Sequence, residues 1–249
     1  MDAGNFRWFT KQFLSMRVGV IVEGRSDAAV ITNILKGKLN ISKSDIQYLV
    51  PEFDYDETTL FQMRKEQFSN WTIVKQTCEN RQKISDFIDI VDSDRFVVIH
   101  IDSDTRNEVG YEVVEPILVR NTDEMSDLRK NISDKLCEWL AYQYVEKIAF
   151  AIAIREIDAW LITIYSDINE TGLIPNPKER FFKRIINEPN RFTQKEKLKI
   201  FRYNDDKFEQ YSRLTKDFRN ERKLEAATVK NLSLKRFCEE LEKFSLRVL

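Results

Sequence analysis

Five acidic residues stand where short apolar runs stop. Val18-Gly19-Val20-Ile21-Val22 runs into Glu23, and Phe96-Val97-Val98-Ile99-His100-Ile101 runs into Asp102-Ser103-Asp104. A third run, Lys147 to Ile154, ends in Arg155-Glu156-Ile157-Asp158. Carboxylates are hard oxygen donors, and a small cluster of them suits Mg²⁺ or Mn²⁺ better than zinc. The chemistry such ions support is phosphodiester hydrolysis, through a bound water of lowered pKa and stabilisation of the leaving oxygen. Glu23, Asp102 and Asp104 are the candidate catalytic residues, and Glu23, Asp102, Asp104, Glu156 and Asp158 the candidate metal ligands. Two alternatives stay open. Glu23 can act as general acid or base, because crowding by other acids raises a carboxylate's pKa. Glu156 and Asp158 can instead be the charged first turn of a helix, favoured by its dipole.

Gly24, Arg25 and Ser26 follow Glu23 directly and are the candidate phosphate-binding residues. Gly24 permits a sharp turn. Ser26 or Asp27 fits an N-cap for a helix over Asp27 to Leu39, whose exposed amides favour an anion. Asp92-Ser93-Asp94 provides a control: it has the Asp-x-Asp pattern but precedes its strand, and reads as a solvated loop or helix cap.

Apolar Val- and Ile-rich runs bounded by turn signals read as parallel strands covered on both faces. In open parallel sheets ligands bind beyond the carboxyl ends of the strands, which is where these acids lie. Further strands are expected at Ile46 to Val50 and Trp71 to Val74, with a helix from about Glu79 to Val91. Pro51 to Asp56 reads as a loop leading to a short amphipathic helix that ends near Ser69. Thr105 to Val145 holds a helical stripe at Leu136, Trp139, Leu140 and Tyr144. From Pro175 onward helices are expected near 177–187, 194–217 and 233–246. The chain therefore divides into an α/β domain over 1–168, with an inserted helical segment near 105–145, and a helical C-terminal region over 169–249.

Glu-Gly after the first strand, a helix from Ser26-Asp27, and Asp-x-Asp after a later strand resemble the TOPRIM domain over roughly Arg17 to Trp160. The family includes topoisomerases, bacterial primases, OLD nucleases, recombination mediators and a maturase ribonuclease. Glu23 matches its glutamate, and Asp102 and Asp104 its Asp-x-Asp. A strand followed by Glu-x-Asp-Ala-Trp-Leu is similar to the small OLD-like TOPRIM proteins of bacterial phage-defence loci, although Asp158 stands where the second acid is commonly Glu. The resemblance implies a Rossmannoid parallel sheet flanked by helices and a metal-dependent nuclease acting on DNA or RNA. It also implies a partner ATPase encoded nearby; a homo-oligomer is compatible with it. The alternative is a catalytically inactive TOPRIM-fold module that binds nucleic acid or a partner.

Composition narrows the rest. With 42% apolar and 33% charged residues the chain can bury a core beneath a heavily charged surface, so disorder is not expected. The net charge of −1 lends no support of its own to nucleic-acid binding. Locally the balance differs. Between 178 and 199, eight basic residues (Lys178, Arg180, Lys183, Arg184, Arg191, Lys195, Lys197, Lys199) stand against three acidic ones, interleaved with Phe181, Phe182 and Phe192. Such a segment either tracks a phosphate backbone or forms an amphipathic helix with Phe inward. Cys78, Cys137 and Cys238 are far apart with one histidine in the chain, which argues against zinc. No signal peptide, disulfide framework or membrane-length apolar run is expected, and Phe6 to Phe9 reads as a packed lead-in, so the chain reads as cytoplasmic and free of the membrane. His100, inside a strand, reads as a core histidine. A topoisomerase lacks room here for its mobile tyrosine domain, and a primase would need a zinc segment. An α/β domain whose acids only cap helices is the plain alternative.

Overall fold

Strand formation follows from burial on two faces: all six residues of Ile148–Ala153 are buried, as are the seven from Arg95 to Ile101. The computed structural model describes residues 16–51, 71–187, 192–195 and 207–245. Within it β1 (Met16–Ile21), β2 (Ile46–Val50), β3 (Asp94–Asp102) and β4 (Ile148–Ala153) form one parallel sheet in the order β2-β1-β3-β4. The expected α/β architecture, a parallel sheet flanked by helices, is observed. Phe6 to Phe9, the loop and helix read between 51 and 69, and residues 196–206 lie outside the described residues.

Strand alternation sorts side chains into two cores. Val18, Val20, Phe96, Val98, Ala149, Ala151 and Ala153 face α1 (Arg25–Leu39), α5 (Asp158–Tyr165), α6 (Pro177–Ile186), α7 (Lys207–Leu214), α8 (Glu221–Thr228) and α9 (Leu232–Ser245). Ile21, Val97, Ile99, Ile101, Ile148, Phe150 and Ile152 face α2 (Trp71–Asn80), α3 (Gln82–Ile88) and α4 (Thr122–Trp139). The alanines of β4 leave room for aromatic side chains of α9. Phe244 stacks on Phe96 with ring centroids 4.1 Å apart, and Phe237 stacks on Trp160 at 5.8 Å. The C-terminal helices thus complete the core of one sheet face.

The free edge of β4 is closed by side chains. Glu240 accepts a hydrogen bond from the Phe150 amide at 2.7 Å, while Arg129 pairs with Glu240 and donates to the Phe150 carbonyl at 3.4 Å. The pair satisfies both backbone groups that a neighbouring strand would otherwise engage.

Four local expectations are corrected. Trp71 to Val74 is helix rather than strand: Trp71, Val74 and Cys78 are buried at helical spacing, and packing that face outweighs the β-propensity of Trp-Thr-Ile-Val. The helix expected from Glu79 to Val91 is two, broken at Arg81 (φ 60°) and finished by Ile88, with Val91 93% exposed. The N-cap of α1 is Gly24, not Ser26 or Asp27, and its extended backbone (φ −154°, ψ 171°) needs no glycine-specific turn. In the helical stripe Leu136, Trp139 and Leu140 are buried, but Tyr144 lies past the helix end with φ 60°. The helices expected near 177–187 and 233–246 are present, the described part of 194–217 is helical from Lys207 to Leu214, and α8 was not foreseen. No helix among the described residues is long and apolar enough to cross a membrane.

Helix α1 touches the backbone of the helical turn Lys216–Arg219: a Cβ on Gly37 would lie 1.9 Å from the Phe218 carbonyl oxygen. Gly37→Ala must push these elements apart and is expected to cost about 1–3 kcal/mol, read as a lowered urea midpoint at unchanged m-value. An unchanged midpoint would mean that α1 and this turn are not in contact.

Candidate active site

The chain leaves β1 for β2 on one side and returns to β3 on the other, so the switch point of the sheet lies between the ends of β1 and β3. Glu23 and Asp102 meet there. Glu23 follows β1 by two residues, and one of its carboxylate oxygens accepts a 2.6 Å hydrogen bond from the amide of Asp102, the last residue of β3. Asp27, third residue of α1, is 7% exposed and accepts a 3.2 Å hydrogen bond from the Ser26 hydroxyl. Tyr111, fully buried, donates from its hydroxyl to the Asp102 carbonyl at 3.2 Å and packs against Trp71 and Trp139.

Ser103 ties the end of β3 to the turn after β4. Its amide donates to the carbonyls of Ala153 (3.1 Å) and Arg155 (3.0 Å), and its hydroxyl accepts from the Arg155 amide at 2.6 Å. That turn delivers Glu156, which accepts a 3.3 Å hydrogen bond from the Lys178 amide at the start of α6. It also delivers Asp158, 5% exposed at the start of α5, which accepts from the Tyr211 hydroxyl at 3.1 Å. Asp104 is exposed at the rim.

These acids raise one another's pKa. Burial and then the charge of Asp102 hold Glu23 well above the usual carboxylate range. Asp102 is held well above it by burial and then by Asp27, Asp104, Asp158 and Glu156. Burial raises Asp27 against the opposing charges of His100 and Lys178. Asp104 is raised by desolvation and then by Glu156. Asp158 is pushed up to about 7, first by burial, against Lys178 and with Glu156. Six carboxylates from three strand ends therefore share one electrostatic environment, with Lys178 as a cation facing it.

His100 completes the set. Its Nδ1 lies 2.6 Å from the Ala151 carbonyl oxygen, where it can only donate. This turns Nε2 toward an Asp102 oxygen at 3.3 Å, in contact but out of hydrogen-bonding alignment. The buried histidine is therefore in contact with the acids of the site.

The five sequence-derived acids thus share one electrostatic environment, and five other residues border it, Asp27, His100, Ser103, Tyr111 and Tyr211, besides Lys178 of the basic segment. Asp27 carried a sequence signal in its four-residue spacing from Glu23, and Ser103 in its place between the aspartates. The two tyrosines carried none: Tyr111 lies nine residues beyond Asp102 without a pattern of its own, and Tyr211 arrives from a distant helix. The first turn of α1 presents Arg25 and Ser26, but Ser26 is engaged with Asp27. Of the basic segment, Lys178 reaches the site, Lys183 pairs with Glu179 and Arg184 donates to the Tyr165 carbonyl. Phe181 is fully buried, as an amphipathic helix requires. Arg191, Lys197 and Lys199 lie outside the described residues. At the far end of β3, Asp92 is exposed and pairs with Arg95, the solvated role expected of it.

The donor set suits a hard divalent cation: every ligating candidate is a carboxylate, and one Asp102 oxygen is buried without a hydrogen-bond donor. Among the described residues no three His, Cys, Asp or Glu side chains are drawn to mutual ligating distance, and one Glu23 oxygen is turned onto the Asp102 amide. No protein-family model matches the chain, and neither does any curated protein or solved structure.

Raised carboxylate pKa values set the sign of the pH dependence. Below pH 3.8 Asp158 is protonated folded or unfolded; between about 4 and 7 the folded protein keeps a proton that the unfolded chain releases, so stability falls as pH rises. Asp158→Asn is therefore expected to raise the melting temperature in EDTA by at least about 2 °C at pH 8 and to leave it nearly unchanged at pH 4. Equal effects at both pH values would show that Asp158 is not held protonated by its surroundings.

Proposed function

We propose that the chain is a divalent-metal-dependent nuclease of the TOPRIM type, cleaving phosphodiester bonds in DNA or RNA as a cytoplasmic effector of anti-phage defence under the control of a separate ATPase. The observation that carries this reading is the mutual repulsion of Glu23, Asp27, Asp102, Asp104, Glu156 and Asp158 at the switch point of a parallel sheet, which a divalent cation would neutralise. Glu23, Asp102, Asp104, Glu156 and Asp158 are the residues that would hold Mg²⁺ or Mn²⁺. When bound, such an ion supplies an activated water and stabilises charge on the leaving oxygen.

The protein's own groups do the rest. Glu23 and Asp102, held well above the usual carboxylate range, can hold or pass a proton. Tyr111 and Ser103 fix the backbone around Asp102, and Tyr211 orients Asp158. Lys178 places a positive charge beside the acids, where a substrate phosphate would sit. Gly19 and Gly24 have P-loop spacing before Arg25-Ser26, but Gly19 lies inside β1 and the lysine is missing, so the run forms no ATP phosphate cradle. Nucleotide hydrolysis is accordingly assigned to the partner.

The test is cleavage of plasmid, single-stranded DNA and transfer RNA with Mg²⁺ or Mn²⁺. Glu23→Gln and Asp102→Asn are each expected to lower metal-dependent cleavage by at least ~100-fold, the cost that loss of even an outer-shell partner can reach. Cleavage unaffected by both substitutions would sink the assignment. No cleavage of any substrate with any divalent ion, alone or with its genomic neighbours, would favour the non-catalytic binding module.

A further inference from the structure

Two arginines flank Ser103 and pair with no acid among the described residues. Arg155 lies in the turn between β4 and α5 with φ +68°, a left-handed conformation that a non-glycine residue enters at a cost. Ser103 imposes it, through the 2.6 Å bond from the Arg155 amide to the Ser103 hydroxyl and the 3.0 Å bond from the Ser103 amide to the Arg155 carbonyl. From the other side Arg106 donates to the Ser103 carbonyl at 3.4 Å and to the carbonyls of Pro116 and Ile117 at 3.0 and 3.1 Å. Asp104 precedes Arg106 by two residues and Glu156 follows Arg155 directly, yet neither guanidinium forms an ion pair with a carboxylate among the described residues. The Nε of each is buried without a hydrogen-bond partner.

That arrangement is unusual for arginine, which beside carboxylates normally forms bidentate pairs. Here Arg106 spends its fork on three carbonyls, and Ser103 locks the backbone of Arg155 into a turn. Two like charges are left close together: burial lowers the pKa of Arg106, Tyr111 opposes the effect and the charge of Arg155 reinforces it. An arginine that stands beside carboxylates without pairing with them, and that feels the charge of a second arginine, favours a tetrahedral oxyanion.

We infer that Arg155, braced by Arg106 across Ser103, is an anion subsite that takes a backbone phosphate neighbouring the scissile one. The inference rests on the nuclease reading for the identity of its ligand, a polynucleotide strand, and on the Ser103-centred geometry for its existence. Arg155 in this role is a binding residue: it grips the strand one side of the carboxylates, while the chemistry proceeds at Glu23 and Asp102.

The experiment uses the full chain, with Ca²⁺ in place of Mg²⁺, and measures anisotropy of a fluorescein-labelled single-stranded oligonucleotide across a salt series. Wild type should lose affinity with salt, and Arg155→Gln should bind about tenfold more weakly, with the log–log slope reduced by about 0.7, the value for one lost phosphate contact on a single strand. Arg155→Lys, which keeps the charge, should keep the slope. Thermal melts of each variant confirm that the fold is retained, and inorganic pyrophosphate serves as a second probe of the anion site by its shift of the melting temperature. An unchanged affinity and slope in Arg155→Gln overturns the subsite, and leaves the nuclease reading standing where cleavage still depends on Glu23. Pyrophosphate stabilisation that needs Arg155, in a protein that neither binds nor cleaves nucleic acid, retains the anion site and overturns the polynucleotide as its ligand.

Discussion

Like charges gathered at the end of a sheet repel, and the rest of this structure is arranged around holding them there. Glu23, Asp102, Glu156 and Asp158 arrive from three strand ends that the parallel register forces side by side. The cost is large on the scale of a protein's net stability: the shift of Asp158 to about 7 alone corresponds to about 4 kcal/mol above that pH, against the roughly 5–15 kcal/mol that holds a domain folded. A sequence free to lower that cost would replace an acid by an amide. Six carboxylates nonetheless share this end of the sheet.

What offsets the cost is distributed. Both sheet faces are covered by apolar cores, so the strand ends cannot splay. Ser103 fastens β3 to the turn after β4, the hydroxyls of Tyr111 and Tyr211 hold the backbone of Asp102 and the carboxylate of Asp158, and Lys178 brings positive charge to the same crevice. At the other edge of the molecule Glu240 and Arg129 seal β4, the strand that carries Glu156 and Asp158. Stability and site share the same elements: the C-terminal helices pack the core through Phe237 and Phe244 and also supply Tyr211 and Lys178 to the acids.

Local pattern told much of this in advance, and where it failed the reason is physical. β1, β3 and β4 were legible because a strand buried on both faces needs an unbroken apolar run, and the acids were legible because each stands where such a run ends. Trp71-Thr-Ile-Val misled because four β-favouring residues are too short a window; the helical period shows only when Cys78 is included. Asp27 looked like a cap because an acid at a helix start is commonplace, and its burial depends on α1 docking against the sheet. Tyr211 and the convergence of Arg106 and Arg155 on Ser103 were invisible, since each depends on segments brought together only by the fold. His100 did read as a core histidine, but its contact with Asp102 follows from the tautomer that the Ala151 carbonyl selects.

Burial and mutual repulsion raise the pKa of Glu23, Asp27, Asp102, Asp104 and Asp158, so a divalent ion binding among them must displace the protons they hold. Titration calorimetry of the protein with Mn²⁺ at pH 7, in two buffers of different ionisation enthalpy, counts those protons directly. The account predicts release of about one proton or more per bound ion, and loss of that release in Asp102→Asn. Binding with no proton release, or an enthalpy independent of buffer and unchanged in Asp102→Asn, would contradict it.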